Sequence, residues 1–224
     1  MTTMQATTFG RLCAATTLAA SAALCHAVTG GQTDTFEDGS TSGWSSGAAN
    51  PTPPVNIASG GPGGADDGYL LLTSSGNAGA GGRLVAFSGP QWAGDYGAAG
   101  ITGIAMDLAN FGAGDPQLRL LIDGAPGVSA LTSAAVAVPS GSGWLHVAFA
   151  IDPASLIGSP AATLAGVTRF RLYHGTSASY PGEMVAARLG VDNITAVPEP
   201  ATVPLLAGGL AALVAFARIR RQPT

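Results

Sequence analysis

The period of the apolar residues constrains this chain more than any other feature of its sequence. Between residues 34 and 196, apolar side chains recur at every second position in short runs that end at Gly, Pro, Ser or Asn. Such alternation is typical of β-strands with one buried face. No amphipathic helix of roughly 10 to 15 residues connects the runs, which argues against βαβ units. The sequence therefore predicts an all-β sandwich of two sheets.

The predicted strands share this alternation and are separated by turn-forming residues. They cover residues 34–37, 55–58, 69–73, 83–87, 104–108, 118–122, 134–138, 145–151, 167–174 and 185–194. A helical turn is predicted only at residues 153–157. With no internal repeat and no long linker, residues 28–196 are predicted to form one domain around a single hydrophobic core.

The charges of this domain restrict its partners and its chemistry. Residues 34–199 carry all 13 acidic residues of the chain but only five arginines, a difference of eight negative charges, and the chain has no lysine. So acidic a surface cannot neutralise a run of phosphates, which argues against nucleic-acid binding. Cys13 and Cys25 both precede residue 28, so the predicted domain has neither a disulfide nor thiol chemistry.

The first 27 residues have the pattern of a secretory signal peptide. Arg11 is the only charged residue among the first 33, and residues 12–24 form an apolar stretch. Cys25 and Ala27 supply small side chains before a cleavage site. We therefore predict an N-terminal signal helix, export through the Sec pathway and cleavage after Ala27.

The last 28 residues combine three features in a fixed order. They are the tripeptide Pro198-Glu199-Pro200, an uncharged run at residues 201–217, and the arginines Arg218, Arg220 and Arg221. A helix over the run would reach roughly 26 Å at about 1.5 Å of rise per residue, close to the hydrocarbon thickness of a bilayer. The run is therefore predicted as a single transmembrane helix whose arginines hold the C-terminus in the cytoplasm.

This order of motif, apolar run and arginines resembles the PEP-CTERM sorting signal of Gram-negative bacteria. The resemblance covers residues 197–224. It implies processing by an exosortase, a membrane cysteine transpeptidase, after transient anchoring in the inner membrane. It also implies release of the domain to the cell surface or into an extracellular polysaccharide matrix.

Two segments of the domain resemble the first and last strands of carbohydrate-binding-module and galactose-binding-like jelly rolls. They are residues 34–39 with Gly43-Trp44, and residues 189–194. The resemblance implies that the two sheets form a jelly roll in which the first and last strands pair. It also implies one structural calcium ion bound by Glu37 and Asp192, with loop carbonyls completing the oxygen ligands that calcium prefers. The alternative is that both carboxylates are solvated near strand ends.

Some of the strand residues are also candidates for a carbohydrate-binding face. Trp144 and His146 share one face of their strand, as do Arg169, Arg171 and Tyr173 on another. Aromatic rings and bidentate guanidinium donors are what a sugar requires, although any solvated β-face can carry them. Trp92, Tyr96 and Tyr180, in predicted loops, form a second candidate location.

Catalytic patterns are mostly absent from the sequence. A glycosidase needs two carboxyl groups across a cleft, but the adjacent pair Asp66-Asp67 lies between glycines in a predicted turn. His146 and His174 do not have the spacing of metal ligands. The sequence therefore predicts a secreted, non-enzymatic surface or extracellular-matrix protein. A carbohydrate-binding module is the first alternative, and an extracellular glycan hydrolase is the second.

Overall fold

The computed structural model describes residues 27–200, which form twelve strands and two short helical segments. The strands are β1 (Thr33–Asp34), β2 (Val55–Ile57), β3 (Tyr69–Ser75), β4 (Val85–Phe87), β5 (Ile101–Asn110), β6 (Gln117–Asp123), β7 (Ser129–Thr132), β8 (Val136–Ala137), β9 (Trp144–Ala150), β10 (Leu156–Gly158), β11 (Arg169–His174) and β12 (Ala186–Pro198). A 3₁₀ turn lies at Pro90–Trp92, and the helix α1 lies at Pro160–Leu164.

The two predicted terminal segments are not part of this description. Residues 1–26 of the predicted signal peptide, and residues 201–224 with the predicted transmembrane helix and its arginines, lie outside the described residues. Within residues 27–200, no helix has the length and apolar character needed to cross a bilayer.

The strands form two antiparallel sheets. The first sheet has the order β2-β3-β12-β5-β9, with β1 also paired to β12. The second has the order β10-β7-β6-β11-β4, with β8 also paired to β6. Strands distant in sequence thus lie side by side in both sheets, and the predicted two-sheet jelly-roll sandwich is confirmed.

The first and last strands of the domain pair with each other, as the resemblance to jelly rolls implies. Thr33 lies opposite Thr195, and Asp34 lies opposite Ile194. The last strand runs two residues beyond the predicted domain end at residue 196, and the Glu199 N–H donates to the Gly100 carbonyl at 2.7 Å. The Pro-Glu-Pro motif therefore starts within the sheet, although its three residues are exposed.

Alternate residues of the facing strands fill the core between the sheets. The fully buried members include Ile104, Met106 and Leu108 of β5, and Leu118, Leu120 and Ile122 of β6. Burial of each such side chain stabilises the fold by about 1.5–3 kcal/mol. The alternation predicted from the sequence therefore matches the faces of these strands.

Three aromatic rings and one carboxylate fill the core beside the first strand. Trp44 and Trp92 both pack edge to face against Phe170, with ring centroids 5.3 and 5.1 Å away. Both indole N–H groups donate to Asp34 Oδ2, at 2.8 and 2.7 Å. Trp92 and Tyr96, named above as loop candidates for sugar contact, are fully buried and belong to this core.

The predicted helical turn at residues 153–157 is displaced in the structure. Asp152 accepts hydrogen bonds from the Ala154 and Ser155 N–H groups at 2.9 and 3.2 Å, which closes a non-helical turn. β10 follows and pairs with β7, a strand that the sequence did not predict. The helix starts later, at Pro160, because the fixed φ of proline suits the first helical position.

Candidate functional site

The outer face of the second sheet, turned away from the core, carries arginines beside aromatic rings. One cross-strand row consists of Ile157, Leu131, Leu121, Arg171 and Phe87. Residues directly opposite each other in such a row project to the same face of the sheet. The neighbouring rows add Asp123 opposite Arg169, and Arg119 opposite Tyr173.

Asp123 at the end of β6 fixes two guanidinium groups on this face. Its carboxylate accepts from Arg171 Nε at 2.8 Å and Nη2 at 3.0 Å, and from Arg169 Nε at 2.9 Å. A bidentate ion pair of this kind holds the guanidinium in a defined plane. The Arg169 side chain remains 47% exposed, whereas that of Arg171 is 17% exposed. One carboxylate thus orients two arginines and neutralises one of their charges.

Aromatic rings pack against both arginines. The Cζ atoms of Arg169 and Arg171 lie 5.1 and 5.4 Å from the Phe87 ring centroid. Arg171 Cζ also lies 4.7 Å from the centroid of Tyr180, whose ring meets Tyr173 edge to face at 5.3 Å. Cation–π contacts of this kind restrict the guanidinium groups further. Phe87, Tyr180, Arg169 and Arg171, together with Asp123, are called the arginine–aromatic cluster below.

Two open hollows flank the arginine–aromatic cluster. One, of about 440 Å³, lies between Arg169, Arg171 and the loop at residues 124–128. The other, of about 360 Å³, lies between the loops at residues 47–50 and 79–81, with Phe87, Tyr180 and Arg83 in its lining. Both hollows are open to solvent and lie beside the arginines.

Trp144 and His146 lie on the opposite side of the molecule, on the outer face of the first sheet. The structure therefore does not bring them together with Arg169, Arg171 and Tyr173. Their strand, β9, pairs with β5, whereas β11 belongs to the second sheet.

The Trp144 ring is enclosed by its neighbours. Its Nε1–H donates to the Gly60 carbonyl at 3.0 Å, and its ring lies 5.3 Å from that of Tyr69 and 6.0 Å from that of Phe111. A Cβ atom at Gly190 would lie 2.7 Å from Trp144 Cη2, so the indole rests on bare backbone. These contacts make Trp144 a packing residue that holds the loop at residues 58–68 against the sheet.

Asp192 forms a second site beneath this loop. Its carboxylate is fully buried, and neither oxygen has a hydrogen-bond partner among the described residues. Burial raises its pKa to about 7, and the negative charges of Asp67, Asp107 and Glu37 act in the same direction. The backbone N–H of Asn193 favours the ionised form, but burial outweighs it. A buried carboxylate in these surroundings favours a bound proton or a bound cation.

The groups around Asp192 are themselves tied to the fold. Glu37 Oε1 accepts from the Gly68 N–H at 3.1 Å. Asp107 accepts from Asn193 Nδ2 at 2.8 Å and lies 2.7 Å from His146 Nδ1. The carboxylate of Glu37 is therefore held at the end of the loop that covers Asp192.

The calcium ion that the resemblance implies at Glu37 and Asp192 stays a prediction. Among residues 27–200, no group of three or more His, Cys, Asp or Glu side chains is arranged to share a metal ion. The negative charge of Glu37 acts on the buried carboxylate of Asp192, so these two predicted ligands influence each other. The unpartnered oxygens of Asp192 are hard ligands of the type that calcium prefers.

The sequence did not single out three of the residues at the arginine–aromatic face. They are Arg83, Phe87 and Asp123. Alternation places all three on the outward side of their strands, but a single sequence does not show which strands are neighbours. The pairing of Phe87 and Asp123 with the arginines of β11 follows from register alone.

Comparisons with known proteins identify the fold and leave the family open. No protein-family model matches this chain, and no curated protein matches it. An exo-β-agarase structure matches with a TM-score of 0.58 and 14% identity, over 76% of this chain and 26% of the agarase. The family 11 carbohydrate-binding module of a cellulosomal cellulase from Clostridium thermocellum matches with a TM-score of 0.50 and 12% identity, over 77% of this chain and 96% of the module. The chain thus spans about a quarter of that enzyme and nearly the whole module, and it shares their jelly-roll fold.

Proposed function

We propose that this domain is a non-catalytic carbohydrate-binding module whose ligand lies on the outer face of the second sheet. The observation that carries this proposal is the arginine–aromatic cluster beside two open hollows. Fixed guanidinium groups donate paired hydrogen bonds to sugar oxygens, and aromatic rings pack against the apolar faces of sugars. Because Asp123 holds both arginines in place before a ligand arrives, little side-chain entropy is lost on binding.

The fold supports the same proposal. This chain covers almost all of the cellulase module but only a quarter of the exo-β-agarase. Hydrolysis of a glycosidic bond requires two carboxyl groups across a cleft. In the arginine–aromatic cluster, both oxygens of the Asp123 carboxylate are engaged by arginine. This arrangement favours binding over hydrolysis.

We further infer that the module is exported and sorted as an exosortase substrate. The order of Pro198-Glu199-Pro200, apolar run and arginines supports this inference, as does the exposure of the tripeptide at the end of β12. The inner membrane and an exosortase would then be transient partners. The released domain would reach the cell surface or an extracellular polysaccharide. A calcium ion at Glu37 and Asp192 would stabilise the exported domain, which has no disulfide.

The binding proposal is tested by titrating the full-length chain, purified in a mild non-ionic detergent, against a panel of oligosaccharides. An Arg171→Gln variant removes the guanidinium that Asp123 holds between Phe87 and Tyr180, together with its remaining donors. It should raise the Kd of any bound glycan about tenfold, since a charge-assisted hydrogen bond contributes about 1.5–3 kcal/mol. Arg188→Gln is the matched control, because Arg188 is an exposed arginine of the first sheet.

A third variant separates the two faces. Trp144→Ala removes the large ring of the first sheet and should leave the affinity unchanged if the ligand lies on the second sheet. Loss of affinity in Trp144→Ala but not in Arg171→Gln would contradict the proposed location. The absence of binding to every glycan in the panel would contradict the proposed function.

A further inference from the structure

The arginines of this domain are concentrated on the proposed binding face. Three of the five arginines within residues 34–199, namely Arg119, Arg169 and Arg171, lie on the outer side of β6 and β11. A fourth, Arg83, precedes β4 and lines the hollow beside Phe87 and Tyr180. Among the strand residues of that sheet, Asp123 is the only acidic one. The adjoining loop adds Glu183, whose carboxylate accepts from the Thr176 N–H and hydroxyl. The rest of the domain carries most of its 13 acidic residues. One cationic face on an acidic protein indicates a partner of negative charge.

Several guanidinium nitrogens on this face have no hydrogen-bond acceptor among the described residues. Arg169 engages Asp123 through Nε alone, which leaves both of its terminal nitrogens without a hydrogen-bond acceptor there. Arg83 Nε donates to the Gly182 carbonyl at 3.0 Å, and its terminal nitrogens are likewise unpartnered. Arg169 borders the hollow beside residues 124–128, and Arg83 borders the hollow beside residues 47–50 and 79–81. The face can therefore offer paired guanidinium donors at two points.

A buried arginine adds positive charge behind these guanidinium donors. Arg119 is 6% exposed and donates to the carbonyls of Gly175, Thr132 and Ser133 at 2.7 to 2.9 Å. Carbonyl dipoles satisfy its hydrogen bonds without cancelling its unit of charge. Arg119 lies opposite Tyr173 in the row next to Arg171. Its charge therefore adds to the positive potential of the same face.

We propose, on the basis of the function proposed above, that the ligand is an acidic polysaccharide whose sugar units carry carboxylate or sulfate groups. The planar fork of a guanidinium matches the two oxygens of either group, which neutral hydroxyl groups match less well. The acidic remainder of the domain repels such a polymer and so directs it to this face. Phe87 and Tyr180 contact the sugar rings between the charged groups.

Matched pairs of polymers test the ligand class with the full-length chain in non-ionic detergent. Polygalacturonate and its fully methyl-esterified form share one backbone and differ in charge. A sulfated galactan and neutral agarose form the second pair. The acidic member of at least one pair should bind ten or more times more tightly than its neutral partner, and the pair that shows this difference identifies carboxylate or sulfate. Added salt should weaken the acidic interaction.

Substitutions then assign the interaction to named residues. Arg169→Gln and Arg83→Gln should each weaken binding of the acidic polymer about tenfold while changing the binding of neutral polymers little. Arg188→Gln removes the same charge from the other sheet and should leave both affinities unchanged.

Three results would overturn the ligand class. Equal affinity for the acidic and neutral members of both pairs would overturn it and leave carbohydrate binding intact. Equal weakening by Arg188→Gln would show an effect of net charge alone and would overturn the assigned face. The absence of binding to all four polymers would overturn the acidic ligand and count against the proposed function as well.

Discussion

Substitution of Asp192 by asparagine is the most direct test of the buried acidic site. In the folded protein the pKa of this carboxyl is about 7, against an ordinary value of 3.8. The folded state therefore binds a proton more tightly than the unfolded state does. The stability that this group contributes is fully present below pH 3.8 and is lost as the pH rises through 7.

The size of the effect follows from the pKa. Each pH unit within the window is worth about 1.4 kcal/mol, so the calcium-free domain should lose about 3 kcal/mol of unfolding free energy between pH 5 and pH 8. For a domain of about 170 residues, this corresponds to a melting temperature lower by roughly 6 to 12 °C at pH 8. Exposed carboxyls with lowered pKa values, such as Asp38 and Asp152, are ionised throughout this window and do not obscure the effect.

Calcium should reverse the loss at pH 8. A ligand that binds the folded state alone, at a hundred times its Kd, stabilises that state by about 2.7 kcal/mol. The melting temperature should therefore rise by roughly 5 to 10 °C in millimolar calcium, and much less at pH 5, where protons compete for Asp192. Chelation should restore the original curve.

Calorimetry at pH 5 and pH 8, with calcium and with chelator, measures all four conditions. Asp192→Asn should remove both the pH dependence in this window and the response to calcium, and Glu37→Ala should remove the response to calcium. Asp115→Asn is the matched control, because Asp115 is exposed and its Oδ1 accepts a hydrogen bond that asparagine can also accept. This reasoning would be refuted if the wild-type protein in chelator melted at the same temperature at pH 5 and pH 8 and if added calcium did not change that temperature.

Three further substitutions test the packing and the tail. Gly190→Ala places a Cβ 2.7 Å from Trp144 and should destabilise the domain by about 1–3 kcal/mol in chemical denaturation. Gly166 faces open space, so the control Gly166→Ala should change the unfolding free energy little. Equal effects of the two substitutions would contradict the contact. Asp34→Ala leaves two buried indole N–H groups without an acceptor and should lower the unfolding free energy by about 2–5 kcal/mol, measured by tryptophan fluorescence; an unchanged midpoint would contradict this role. Glu199→Ala should leave full-length protein in the membrane fraction, and unchanged release into the medium would contradict the sorting proposal.

The sequence predicts where most of the strands lie, but it does not predict which strands are neighbours in a sheet. Alternation identifies the faces of β5, β6 and β9 because a half-buried strand needs apolar residues at every second position. It does not locate the end of β1, since Phe36 leaves the extended conformation with a φ of 59°. It also does not predict β7, whose four residues include two polar side chains. So short a strand is fixed by its pairing with β6 and β10 more than by its own residues.

The candidate sites show the same limit. Glu37 and Asp192 can be named from the sequence because the first and last strands resemble those of known jelly rolls. The arginine–aromatic cluster cannot be assembled in this way, since Phe87 and Asp123 reach Arg171 only through the register of β4, β6 and β11. Trp92 illustrates the opposite error, because a tryptophan in a predicted loop is fully buried against Phe170.

The two outer faces of this sandwich are suited to different tasks, and their charges explain why they are separate. Beneath the loop at residues 58–68, acidic groups surround Asp192 and favour a bound cation or proton, which stabilises the fold. On the other sheet, Arg169 and Arg171 surround Asp123 and leave donors exposed to solvent. If the two sets shared one face, the carboxylates would pair with the arginines, and neither a cation nor an acidic polymer would find free ligands. Separation by the hydrophobic core would let one small domain carry both proposed sites.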